Sequence, residues 1–347
     1  TLSYIATVGL SLLTGNLVDA FGGRRGLAVL LLVVSASVLI ASEATNYAVL
    51  VVAAAAAGIG QALSLPSTNK LVAAHVPSAQ QSAAIGIKQS GVQLGALLSG
   101  LVLPWLAAGF GWRGALRLLT LAPLALLPVL LWVVPLDPPA PVARRLVRLP
   151  GRPAILTRWL MAYSICLGSG TAATNSFLPL YAHEALHLSE SASGLVLAVV
   201  GVSGVLARIV WTMVSDRMSD ATLALVVLAL AAVGFALVVW QAERLGVVVL
   251  WLGALGLGAS AVAGNAVSTL IVVRESGLRR MGEVSALVGM SFFAGFVISP
   301  PLFGALADAT GGYGAGWLMV TILFGAAAAV AAAFHRARQQ LPATSSI

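Results

Sequence analysis

The sequence predicts an all-α polytopic membrane protein built as two helical bundles related by an internal repeat. Three observations predict it. Eleven long uncharged stretches, 1–18, 26–42, 44–69, 89–112, 118–136, 159–182, 191–207, 221–242, 245–273, 284–307 and 309–335, alternate with short charged loops. The chain is 59% hydrophobic and 9% charged with a mean hydropathy of +1.00, where a soluble domain carries charge on about a quarter of its residues. Its basic residues also segregate by loop. Placing the Arg24–Arg25 turn in the cytoplasm gathers Arg24, Arg25, Arg144, Arg145, Arg148, Arg152, Arg158, Arg208, Arg217, Arg274, Arg279, Arg280, Arg336 and Arg338 on that side, and leaves Arg113, Arg117 and Arg244 opposite. That is the positive-inside asymmetry. The net charge of +8 therefore reports topology, not a nucleic-acid partner.

Each stretch is most simply a helix. A hydrocarbon core of about 30 Å takes roughly 20 apolar residues, and backbone polar groups in lipid must bond internally. Barrel strands would alternate polar and apolar residues, and these runs do not. The stretch 1–18 lacks the basic start and cleavage site of a signal peptide. Cys166 stands alone, which excludes an intramolecular disulfide.

Between the fifth and sixth stretches, Pro135 to Arg158 is rich in proline and arginine and reads as a cytoplasmic linker. The expected division is 1–134, a linker over 135–154, 155–335, and a cytoplasmic tail over 336–347. An internal repeat supports it. Gly15 to Asp19 has a counterpart in Thr212 to Arg217, and Gly86–Pro104 one in Gly289–Pro300, each about 200 residues on. Asp216 lies 61 residues after Ile155, whereas Asp19 lies 18 after Thr1, a deficit of 43. That equals one helix and its loop, so the natural protein is expected to have twelve helices, with the second to the twelfth present here.

The first turn reads Gly15, Asn16, Leu17, Val18, Asp19, Ala20, Phe21, Gly22, Gly23, Arg24, Arg25. It resembles the signature G-x-L-x-D-(R)-x-G-(R/K)-(R/K) of the major facilitator superfamily of secondary transporters. Gly15, Leu17, Asp19, Gly22 and Arg24 match, while Ala20 and Gly23 replace basic positions. In the second half Asp216 and Arg217 are kept, but Thr212 and Ser219 stand at the glycine positions. The resemblance implies that this cluster latches the cytoplasmic side. Physically, its glycines allow close helix approach and a tight turn. The Asp19 carboxylate can accept from Arg24 or sit at the positive N-terminus of a neighbouring helix.

Polar residues recur at helical spacing within the runs: Tyr4, Thr7, Ser11 and Thr14; Gln61, Ser64, Thr68 and His75; Ser82, Gly86, Gln89 and Gln93; Ser164, Gly168, Thr171 and Asn175; and Asn265, Ser268 and Thr269. Such faces turn inward. Hydroxyls there serve interhelical packing, whereas the larger amides suit a water-filled cavity. Ser78 with Gln81 reads as a capping box, which puts Lys88 some 15 Å along its helix. A central lysine costs roughly 2.5–3.5 kcal/mol on insertion scales, so it faces a cavity or a partner, or snorkels to the surface. Lys70 reads as a snorkelling anchor. The expected substrate-binding set is Gln61, Lys88, Gln89, Gln93, Asn175 and Asn265, and the expected latch is Gly15, Asp19, Gly22, Arg24, Arg25, Asp216 and Arg217.

No Asp or Glu falls mid-helix, which leaves a coupling proton or ion open. The family's antiporter pattern is poorly met by Gly91, Gly95, Ala96, Ser99 and Gly100, with proline only at Pro104. There is no HExxH, paired CxxC, Walker loop or acidic metal motif, so neither a catalytic site nor a metal or other cofactor is expected. His183 and His187 with Glu184 and Glu190 read as a solvated outer loop. The resemblance implies a monomeric secondary carrier of a small molecule working by alternating access; the lysine points to an organic or inorganic anion, and the Ala-, Leu-, Val- and Arg-rich composition is associated with a bacterium, hence an inner membrane. Proton-coupled drug efflux is the competing reading, and a membrane enzyme or channel the rival classes.

Overall fold

The structure is a computed structural model that describes residues 2–135, 153–218, 220–278 and 280–340. Most of the expected linker, with Arg144, Arg145, Arg148 and Arg152, lies outside the described residues, as do Ser219 and the end of the tail. Helices follow the apolar runs in order: α1 (Leu2–Phe21), α2 (Gly23–Ser42), α3 (Tyr47–His75), α4 (Ser78–Val133), α5 (Ile155–Glu184), α6 (Glu190–Arg217), α7 (Ala221–Trp240), the single turn α8 (Ala242–Leu245), α9 (Val247–Leu257), α10 (Ala263–Glu275), α11 (Met281–Thr310) and α12 (Gly314–Gln339). Nine helical segments among the described residues are long and apolar enough to cross a bilayer, so the chain is a multi-pass, all-α membrane protein.

Local chemistry sets the helix ends. Asn46 caps α3 by accepting from the Val49 amide at 3.1 Å. Ser189 and Asp220 do the same for α6 and α7, each satisfying an otherwise orphaned N–H group. Gly22, at φ 95°, turns the chain between α1 and α2, a conformation that a Cβ disfavours. The expected capping box at Ser78 does not form: the cap position is Pro77 and no side-chain cap bond is made.

Two other boundaries differ from expectation. The fourth and fifth apolar runs are separated only by Gly111, at φ 68° and ψ 165°, so the break precedes the charged residues 113–117. Arg113 and Arg117 thus stand on the first turns of the following segment. There Arg113 donates to the Ala44 carbonyl at 2.9 Å, and Arg117 forms a two-pronged pair with Glu43 at 2.6 and 2.9 Å. The seventh run continues past its first charge to Arg217. Arg208 is therefore a helix-interior residue and not a loop arginine, because its backbone bonds and small neighbours carry the helix through.

The residues cluster into two units. The first comprises 1–78, 95–153 and 272–290; the second comprises 79–94, 154–271 and 291–347. In the first, α3 packs against both α1 and α2. Thr7 and Thr14 of α1 donate to the carbonyls of Gly58 and Ala62 at 3.1 Å, so these hydroxyls serve packing, as read from the sequence. In the second, α12 packs on α5 and α7, and α6 on α9 and the segment that follows it. One end of this unit is closed by Tyr181, Phe303, Tyr313 and Trp317 in edge-to-face contacts. Tyr181 donates to the Val239 carbonyl at 3.2 Å.

Candidate functional site

Arg208 organises the second unit. It lies nine residues before the end of α6 at Arg217, some 14 Å along the axis, and is 5% exposed. Its guanidinium donates to the Gln89 carbonyl and to Gln93 Oε1 of α4, and its Nε to the Val262 carbonyl at 3.3 Å. Every one of these acceptors is neutral, and among the described residues no carboxylate pairs with it. Val262 closes a five-residue π-helical turn, Gly258–Val262, between α9 and α10. Such turns break the regular ladder and recur at functional sites. The Gln89 amide donates onward to Thr269 Oγ1 of α10 at 2.9 Å. Helices α4, α6 and α10 are thus tied together around one buried cation.

The expected binding residues divide accordingly. Gln89 and Gln93, one turn apart, both engage Arg208. Lys88 is half-buried on the adjoining face of α4, within the same unit. Asn175 of α5 and Asn265 of α10 also belong to this unit, are half-buried, and have amides without a hydrogen-bond partner among the described residues. Gln61 belongs to the first unit, where its Oε1 accepts from Thr7 at 3.1 Å. Arg208 itself escaped the sequence reading because an apolar run was ended at its first charge. The repeat held the missing signal: Asp216 marks a helix end, and Arg208 stands eight residues before it, two turns inside.

A second constellation forms in the first unit. Asp19 receives the backbone amides of Gly282 and Glu283 at 2.8 and 2.9 Å, at the N-terminus of α11. Of the two partners open to this carboxylate, the helix terminus is the one observed, and Arg24 donates instead to the Leu131 carbonyl. Lys70 corrects its reading as a snorkelling anchor. It is 7% exposed, bonded to the Val18 and Asp19 carbonyls at 2.9 and 3.0 Å, with Asp19 Oδ1 at 3.5 Å. An internal carboxylate and a set of carbonyls hold it better than the surface would. A Cβ on Gly15 would stand 2.6 Å from Ala286 Cβ and 2.7 Å from the Gly282 carbonyl, so only glycine admits α11 this closely. Arg25 is exposed, and Arg217 ends α6. In the second unit, Asp216 accepts from Ser82 at 2.8 Å, again beside a helix N-terminal turn, that of α4.

Among the described residues no cluster of metal-ligating side chains occurs. His183 Nδ1 lies 2.8 Å from the Leu188 carbonyl, and Glu184 accepts from Tyr313 at 2.5 Å.

Comparison with known proteins places these features. The model of a family described as the Major Facilitator Superfamily matches residues 1–289. Human monocarboxylate transporter 11 is 34% identical over 256 residues, 68% of this chain and 52% of that protein. The gallate transporter of Pseudomonas putida is 31% identical over 164 residues, 44% of this chain and 36% of that protein. The matched part thus spans about a third to a half of these relatives. A proton:xylose symporter, XylE, superposes with a TM-score of 0.79 at 15% identity, covering 94% of this chain and 83% of its own. The E. coli fucose:proton symporter FucP does so with 0.76 at 16%, covering 96% and 90%. These two likenesses concern the fold.

Proposed function

Because the chain belongs to the Major Facilitator Superfamily, whose members matched here are transporters and not enzymes, we propose that it is a secondary carrier of small organic anions working by alternating access. The observation that carries this reading is Arg208, a buried guanidinium surrounded by neutral acceptors alone. Burying a charge without a counter-charge is costly. A carboxylate ligand would supply the missing charge and can accept from Nη2, the guanidinium nitrogen that none of these acceptors engages. The names of the relatives support the chemistry, since gallate and monocarboxylates are carboxylate substrates. Gln93 and the Gln89 carbonyl hold the guanidinium, and Asn175, Asn265 and Lys88 of the same unit complete the proposed ligand-contacting set.

In this proposal the chain acts as two bundles, 1–134 and 155–335, joined by the 135–154 linker. The Arg24–Arg25 turn and both the linker and the tail face the cytoplasm of a bacterial inner membrane. Asp19, with Gly15, Gly22 and the α11 N-terminus, is the latch. It holds by two charge-assisted amide bonds and by Lys70, and must release for the carrier to change state. Asp216 with Ser82 is its counterpart.

The test is ligand-dependent thermal stabilisation of the full-length protein in detergent, with benzoate, gallate, lactate, xylose and a cationic drug, on wild type, Arg208→Gln and Lys88→Ala. Carboxylates should stabilise wild type and lose that effect in Arg208→Gln. Equal stabilisation of wild type and Arg208→Gln, or stabilisation by neutral or cationic compounds alone, would refute it.

A further inference from the structure

The first unit contains an apolar groove whose one charged wall residue, Arg25, belongs to the first-turn motif. It is a cavity of about 480 Å³ between α1, α2 and α3, with walls that include Leu10, Leu13 and Phe21 of α1, Val29 of α2 and Leu63 of α3, and with Arg25 at one end. Leu13, Phe21 and Val29 remain 41%, 49% and 48% exposed on helices long and apolar enough to span a bilayer. Exposed apolar walls on such helices suit lipid better than water. We propose that it is a binding site for one anionic phospholipid, its acyl chain lying along α1 and its phosphate on Arg25.

Length, polarity and charge agree on that occupant. From Leu10 to Phe21 the groove runs about 16 Å along α1. That is about half of a ~30 Å hydrocarbon core, the depth of a single leaflet. Arg25 stands on the first turn of α2, beside the end of α1 at Phe21, at the level where headgroups begin. It is exposed, and among the described residues no hydrogen bond or ion pair occupies its guanidinium. The neighbouring Arg24 is turned to the Leu131 carbonyl. A water-soluble anion would gain nothing from the leucine-lined wall, and a zwitterionic lipid would bring the arginine a phosphate whose charge its own ammonium offsets. A basic side chain at the membrane surface favours an anionic lipid by ~1 kcal/mol, about fivefold.

The site can be tested independently of any substrate. Native mass spectrometry of the full-length protein, released from detergent with equimolar phosphatidylglycerol and phosphatidylcholine of matched chains, reads the bound lipid directly. Wild type should retain one phosphatidylglycerol in preference to phosphatidylcholine. Arg25→Gln should remove that preference, about fivefold, and Arg25→Lys should keep it. Leu13→Trp, which fills the groove, should abolish retention of both lipids. Leu32→Trp is the control, on a residue of α2 that is 48% exposed and outside the groove. Equal retention of the two lipids by wild type, an unchanged preference in Arg25→Gln, or like behaviour of Leu13→Trp and Leu32→Trp would overturn the proposal.

Discussion

Replacing Asp19 by Asn tests the latch at its most constrained atom pair. The carboxylate accepts two amides at 2.8 and 2.9 Å and lies beside a lysine whose side chain is 9% exposed. An asparagine of the same shape keeps one acceptor and presents an N–H group to the other amide, so one charge-assisted bond, worth about 1.5–3 kcal/mol, is lost outright. Lys70 is then left with carbonyls and no opposing charge, and breaking a buried pair by removing one partner costs about 3–5 kcal/mol. The two penalties share atoms and do not add, so we expect docking of the α11 N-terminus on α1 to weaken by about 3 kcal/mol, over 100-fold in population. Spin labels on α1 and α11 near this contact, read by pulsed electron resonance, should show the short distance of wild type replaced by a broad, longer distribution. Ligand-induced thermal stabilisation should persist, because Arg208 and its amides belong to the other unit. An unchanged distance distribution in Asp19→Asn would refute the latch argument. Loss of ligand binding with the fold intact would place Asp19 in the binding site.

Three further outcomes follow from the same contacts. Gly15→Val should reproduce the open latch, since its Cβ meets Ala286 and the Gly282 backbone and overpacking costs about 1–3 kcal/mol; cross-linking of engineered cysteines across the contact would report it. Arg208→Lys should bind carboxylates at least tenfold more weakly than wild type in calorimetry, because an ammonium lacks the planar fork that Gln93, the Gln89 carbonyl and a carboxylate share. On the opposite loop, Arg117 holds the Glu43 carboxyl below its ordinary value of 4.5. The folded pKa is lower than the unfolded one, so this pair contributes above about pH 4.5 and fades as pH falls through the folded value. The difference in melting temperature between wild type and Glu43→Gln should be small at pH 7, as exposed pairs are, and vanish in acid.

Much of the fold was legible because lipid imposes one rule, that a run of about 20 apolar residues becomes a helix. Charge obeys no such rule, and there the reading went astray. A run-based parse ends a helix at its first cation, so Arg208 looked like a loop residue although α6 continues for nine more positions. Lys70, near the end of α3, looked like an anchor because its partner Asp19 is 51 residues away and only packing brings them together. The motif at the first turn narrowed Asp19 to two partners, and tertiary placement of α11 decided between them. Helical spacing puts Gln89 and Gln93 on one face, but Arg208, which the Gln89 carbonyl and the Gln93 side chain both meet, lies in another helix.

The uncompensated charge on Arg208 also has an electrical consequence. If a monovalent anion neutralises it in the loaded carrier, reorientation with cargo moves no net charge at that site. The empty carrier would return with a bare cation, which across the full field couples to the membrane potential by about 2.3 kcal/mol per 100 mV. Voltage would then govern the return stroke and leave the loaded one untouched, and net uptake would depend on membrane potential while exchange of bound anions would not.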